Sequence, residues 1–190
     1  MNTPAVRLIV DGDIFQPESG VLSIVGHGVN LRGVMGGFAG LVSSKFPEAA
    51  EPYRTSCEFN RMELGTTLIA ETHDLDLMIA HIASQVEPGA DARYLALEDG
   101  LRALYRQVLT AAEQHPSQKI QVRLPMIGAG IGGLDPIEVA DIIFRNATAG
   151  GSLSPGGHVI VPTTLYLLSS DSFTEDVRAL HQSLYGAEKS

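Results

Sequence analysis

The chain has 190 residues, 44% hydrophobic and 18% charged, enough for one globular domain with a sizeable core. A formal net charge of −9 sets it against a duplex phosphate backbone. That excludes a protein built to coat DNA, while leaving room for a small nucleotide in a local pocket. The single cysteine, Cys57, excludes an internal disulfide and fits a reducing, cytoplasmic setting. We expect neither a secretory leader nor a membrane span.

Residues 6–10 alternate as a strand and end at Asp11-Gly12-Asp13. A second apolar run, 21–25, breaks into Gly26-His27-Gly28-Val29-Asn30. After a glycine-rich bend, residues 38–46 and 47–57 read as two short helices. Residues 64–71 and 75–83 read as strands joined by a tight His73-Asp74 turn, and Pro88-Gly89 marks a loop over 86–91. The clearest helix is 92–114, where Tyr94, Leu97, Leu101, Leu104, Val108 and Ala112 fall on one face. Residues 120–127 form a buried strand. Asp135, Pro136 and Glu138 then start a helix: aspartate as cap, proline at the first turn, glutamate three places after the cap. The chain closes with a loop over 148–157, a strand over 158–168 and a helix over 173–184. Strands alternating with helices predict a three-layer α/β/α sandwich with a mixed central sheet. We read 1–190 as a single domain, with 169–190 a C-terminal helical extension.

Two glycine loops stand out, each after a strand and before a helix. The first holds Gly33, Gly36 and Gly37, the second Gly128, Gly130, Gly132 and Gly133. Such loops expose backbone N–H groups near the positive end of a helix dipole, which suits an anion. The alternative is a tight turn with close strand–helix packing. Gly128-x-Gly130-x-x-Gly133 matches the spacing of a dinucleotide fingerprint, but that fold needs an acid about 20 residues on. The stretch from Thr148 to Pro155 has none. In an open α/β sheet the two loops would face one another across the crevice at the strand ends, an arrangement suited to a pyrophosphate between two riboses.

Three stretches in order resemble the macro domain family, the binders and hydrolases of ADP-ribose. They are Gly12-Asp13-Ile14-Phe15, the run from Val29 to Gly37, and the run from Ile127 to Asp135. Gly33-Val34-Met35-Gly36, Lys45-Phe46-Pro47 and Gly132-Gly133-Leu134-Asp135 are most similar to one branch. That branch contains macro-domain antitoxins that reverse DNA ADP-ribosylation, and the terminal ADP-ribose protein glycohydrolase. The resemblance covers residues 6–168. It implies an ADP-ribosyl hydrolase acting on a modified protein or nucleic acid, or alternatively a non-catalytic binder or sponge of ADP-ribose or a related signalling nucleotide.

The resemblance also implies roles. Asp13 would accept from the adenine amino group, or it is a turn aspartate bonding local amides. Ile14 would pack on the adenine. Asn30 offers donor and acceptor to the distal ribose, or holds a strand-end turn. Gly33, Val34, Met35, Gly36 and Gly37 form one phosphate loop. Gly128, Ala129, Gly130, Ile131, Gly132 and Gly133 form the other. Phe38 would cover the distal ribose, or is a core aromatic. His27 would orient the ribose or shuttle a proton near neutral pH, or is a satisfied core histidine. Arg32 reads as a solvated loop residue.

Two departures from that branch matter. Its hydrolases attack with a lysine from a central strand, where this chain has His81 at or near the position. The lysines here are Lys45, Lys119 and Lys189. Its glycohydrolase also carries an aspartate in the second glycine loop, where Gly132 stands. We therefore expect water as the nucleophile, with His27 and Asn30 as the catalytic candidates. The histidines form no short ligand pattern, so neither a metal nor another cofactor is expected.

Overall fold

A computed structural model describes residues 6–16, 18–150 and 161–186. The elements in chain order are β1 (Val6–Val10), β2 (Val21–Val29), α1 (Gly37–Lys45), α2 (Pro47–Glu58), β3 (Thr67–Glu71), β4 (Leu77–Ala83), α3 (Tyr94–Gln114), β5 (Lys119–Leu124), α4 (Pro136–Gly150), β6 (Thr163–Leu167) and α5 (Thr174–Tyr185). The strands form one sheet in the order β1-β6-β5-β2-β4-β3. Every pairing is parallel except β3 with β4, so the sheet is mixed, as the sequence implied.

Alternation of side chains across the sheet sorts the apolar residues into two layers. Ile24, Ile82 and Leu124 join Leu97, Leu101, Leu104 and Val108 of α3 and Val139 and Ile143 of α4 in the main core. Val25 and Ile79 meet Val42, Phe46 and Ala49, from α1, the α1–α2 junction and α2, on the opposite face. The three layers follow. α5 contributes Val177 to the main core, and its His181 Nε2 donates to the Val6 carbonyl at 2.8 Å.

Most boundaries fall within a few residues of the sequence pattern. The main difference is β2, which runs through Gly26 and Gly28 to Val29 instead of breaking at Val25. These glycines belong to the strand because close neighbours leave no room for a side chain. A Cβ on Gly26 would lie 2.7 Å from Leu124 Cδ2, and one on Gly28 2.8 Å from Ser84 Oγ. α4 continues to Gly150, past the expected loop start at 148. The rest of that loop, and the start of the strand expected from 158, lie outside the described residues.

β2 lies between β4 and β5, and the three run parallel. Their carboxyl ends therefore open at the same edge of the sheet, where ligands of open α/β folds settle.

Candidate functional site

A cleft of about 440 Å³ lies at that edge. Its walls come from the end of β2 (His27 to Asn30), the turn into α1 (Val34 and Gly36 to Ala39), the end of β4 with the following loop (Ser84, Gln85, Pro88, Gly89), and the segment after β5 (Pro125 to Gly128 and Gly130 to Gly132). Both glycine loops thus border one cavity. They approach closely: a Cβ on Gly37 would lie 2.9 Å from Ile131 Cδ1.

The donors come from the main chain. α1 has no side-chain cap, and its first intrahelical bond runs from Gly40 N to Gly36 O at 3.1 Å. The amides of Gly37, Phe38 and Ala39 precede that bond, have no partner among the described residues and belong to residues that line the cleft, at the positive end of the helix. In the second loop, Ala129 N bonds Met126 O, Gly133 N bonds Gly130 O, and Leu134 N bonds Gly128 O. Between them the amides of Gly130, Ile131 and Gly132 have no partner among the described residues.

α4 is different. Asp135 Oδ1 accepts from Ile137 N at 2.9 Å and Glu138 N at 3.1 Å. The aspartate caps as expected and in doing so occupies the donors there. The open main-chain donors beside the cleft are therefore those of the second glycine loop and of α1, not those of the α4 terminus. Among the described residues, no Asp, Glu, Lys or Arg lines the cleft. It is a neutral cavity rimmed by N–H dipoles.

The first loop is braced from within. Asn30 Oδ1 accepts from Arg32 N at 2.9 Å and Val34 N at 3.2 Å, and its Nδ2 donates to Val34 O at 2.7 Å. The Tyr53 hydroxyl donates to Asn30 O at 2.8 Å. The Asn30 acceptor is thus used on the loop, leaving one N–H of its amide for a ligand. Arg32 is exposed and pairs with Glu87, tying this loop to the one after β4. Leu31 N to Val86 O at 3.1 Å makes a second tie.

His27 forms the floor of the cleft and is 1% exposed. Its Nε2 lies 2.9 Å from Nδ1 of His81, its register partner on β4. His81 Nε2 in turn donates to Ala49 O at 2.8 Å. Burial pushes the His27 pKa well below the ordinary 6.5, with His81 beside it adding to the shift. Burial likewise lowers His81 to about 4. Both shifts favour the neutral ring at physiological pH, so His27 is not poised there as a titrating acid or base.

A model of the macro domain family matches residues 27–143, which include both glycine loops and the strands between them. The chain belongs to the macro domain family. ADP-ribose 1″-phosphate phosphatase of Candida albicans is 28% identical over 130 residues, 66% of this chain and 83% of that protein. The macrodomain of Thermus aquaticus DarG is 25% identical, over 85% of this chain and 97% of its own, with a TM-score of 0.65. Thermosipho africanus DarTG, solved in complex with ADP-ribose, shares the fold at 20% identity and a TM-score of 0.69, over 92% of this chain and 44% of its own.

Of the residues singled out by sequence, this macro domain brings His27, Asn30, Val34, Gly36, Gly37, Phe38, Gly128, Gly130, Ile131 and Gly132 to the cleft. Gly33, Met35, Ala129 and Gly133 sit in the same loops but outside the lining. Asp13 is exposed beyond it, with Oδ1 accepting from Phe15 N at 2.9 Å, and Ile14 is packed in the smaller core. Arg123 on β5 donates to the Ile14 and Gln16 carbonyls and so fixes that segment. Phe38 stacks on Phe15 at 5.6 Å and stands 6.0 Å from the His27 ring.

His81 does not line the cleft; it is fully buried below His27. Ser84 and Gln85 at the end of β4 do line it. They belong to no motif, and only their place at a strand end marks them. Neither Lys45 nor Lys119 borders the cavity. Cys57 is a buried thiol whose pKa is raised by burial. Among the described residues, no helix is long and apolar enough to cross a membrane, and no His, Cys, Asp and Glu cluster could hold a metal ion.

Gly132 and Gly130 differ in what an added side chain would meet. A Cβ on Gly132 would lie 2.7 Å from Gly128 O and 2.8 Å from Ala92 Cβ, so any side chain strains the loop itself. Gly130 has nothing within 4 Å of the corresponding position.

Proposed function

We propose that this macro domain binds ADP-ribose through its diphosphate and hydrolyses a bond at the anomeric carbon of the distal ribose, releasing ADP-ribose from a modified protein or nucleic acid. The observation that carries the assignment is the pair of facing loops with open amides. Main-chain donors on both sides of a charge-free cleft fit two linked phosphates better than one. Asn30 and Phe38 border the same cavity and would meet the distal ribose. Asp13 and Ile14, outside the cleft lining, would take the adenine. Water is the nucleophile, since among the described residues no lysine or carboxylate borders the cavity. Positioning and preorganised donors supply the catalysis, with a ligand phosphate oxygen or His27 orienting the water and Asn30 holding the ribose. The sequence and structural likeness to the DarG macrodomain supports an antitoxin-like setting in the cytoplasm.

Incubation with mono-ADP-ribosylated protein and DNA, with release of ADP-ribose as the readout, tests the hydrolase. Absence of release above buffer for every linkage refutes it. The same lack of an ionisable nucleophile favours a second outcome, a non-catalytic binder or sponge. Calorimetric binding of ADP-ribose without turnover would establish that instead.

A further inference from the structure

Two buried side-chain atoms in the cleft wall have no partner in hydrogen-bonding geometry among the described residues: His27 Nδ1, which has the Gly28 backbone nearby, and Ser84 Oγ. The state of the first follows from the hydrogen-bond chain behind it. A carbonyl only accepts, so His81 must carry its proton on Nε2 to bond Ala49 O. A neutral His81 then has a bare Nδ1. His27 Nε2, 2.9 Å away, must donate to it. A neutral His27 with its proton on Nε2 leaves a lone pair on Nδ1.

The surroundings hold both rings in place. Tyr53 stacks on His81 with centroids 5.1 Å apart, and Phe38 flanks His27 from α1. The ionisable groups against the pair are each other and the Tyr53 phenol, whose pKa burial raises. A buried acceptor without a donor is costly, and a ligand that supplies the donor recovers that cost.

We infer that His81 is a positioning residue that locks His27 as the Nε2–H tautomer, and that the buried, unpartnered lone pair on His27 Nδ1 accepts a hydrogen bond from a hydroxyl of the ligand. This rests on the ADP-ribose assignment for the identity of the ligand. The lone pair repels anionic oxygen, so it keeps the phosphates to the amide loops and selects a hydroxyl-bearing group, such as a ribose, for the floor. The cleft is thereby divided: donors for the diphosphate at its rim, an acceptor for the sugar beneath.

Long-range ¹H–¹⁵N NMR of the full chain at pH 7 reads the tautomers directly. His27 and His81 should both show the Nε2–H pattern. Adding ADP-ribose should move the His27 Nδ1 signal upfield while its Nε2–H stays in place. A charged or Nδ1–H His27 overturns the inference. So does an unmoved Nδ1 signal in a sample where calorimetry shows ADP-ribose bound. If calorimetry shows no ADP-ribose binding, the functional assignment fails, while the tautomers of the free protein still test the lock.

Substitution gives a second readout. His81→Asn keeps an acceptor near the position of Nδ1 and should hold the Nε2–H pattern, with affinity within about threefold. His81→Leu removes it, should mix the tautomers, and should weaken ADP-ribose in proportion to the fraction of His27 that keeps a bare Nδ1, about tenfold where a tenth remains. Equal affinity and an unchanged His27 tautomer in a folded His81→Leu protein would overturn the positioning role.

Discussion

Gly130→Glu separates anion recognition from loop architecture. The position borders the cleft and has open space around the added Cβ, so the backbone need not move. The carboxylate would instead stand beside the amides that face the ligand. Like charges about 4 Å apart repel by about 4 kcal/mol at an effective dielectric near 20. Because the side chain can swing outward, we take half, about 2 kcal/mol, which is roughly a 30-fold loss of affinity. Gly130→Gln has the same bulk without the charge and should cost less than about threefold. Gly132→Glu is the contrast, since its Cβ meets the Gly128 carbonyl and should lower the melting temperature as well as binding. Calorimetry with ADP-ribose at low and high salt, beside thermal melts of each variant, makes the comparison. Gly130→Glu with wild-type stability and unchanged affinity would show that the loop only makes a turn.

The buried histidines predict acid lability. Unfolded rings protonate near pH 6.5 whereas His81 resists until about 4, so the unfolded state binds protons first and stability falls as pH drops through that window. His81 alone accounts for about 3 kcal/mol by pH 4, and His27 adds in the same direction. A chemical-denaturation series giving equal stability at pH 7.5 and 5 would contradict this. Tyr53→Phe removes the hydroxyl bonded to Asn30 O and should cost about 1 kcal/mol of stability, with weaker ADP-ribose binding through a looser first loop; unchanged hydrogen exchange at residues 31–34 would refute it. Arg123→Met strands the Ile14 and Gln16 carbonyls and should cost about 1–3 kcal/mol in denaturant titrations, loosening the segment that carries Asp13.

Local signals were legible in the sequence and non-local ones were not. Glycine spacing located both loops, and the Asp135-Pro136 pair located the start of α4, because turn and cap chemistry is written in neighbouring residues. The pairing of His27 with His81 spans 54 positions and depends on strand register, which no local pattern states. Gly26 and Gly28 read as a break because glycine usually weakens a strand. Only the side chains packed against them reveal why the strand passes through. The same holds for Asn30, whose acceptor looked available until the turn that uses it was in view.

A ligand gripped by main-chain amides is recognised by atoms that every residue possesses. Substitutions elsewhere in the loops would leave that grip largely intact, so long as the turns survive. Chemistry at the floor of the cleft has no such insurance, since it depends on particular side chains. Binding and turnover in this architecture are therefore free to drift apart, and descendants of one ancestor could keep the nucleotide while changing, or abandoning, what they do to it.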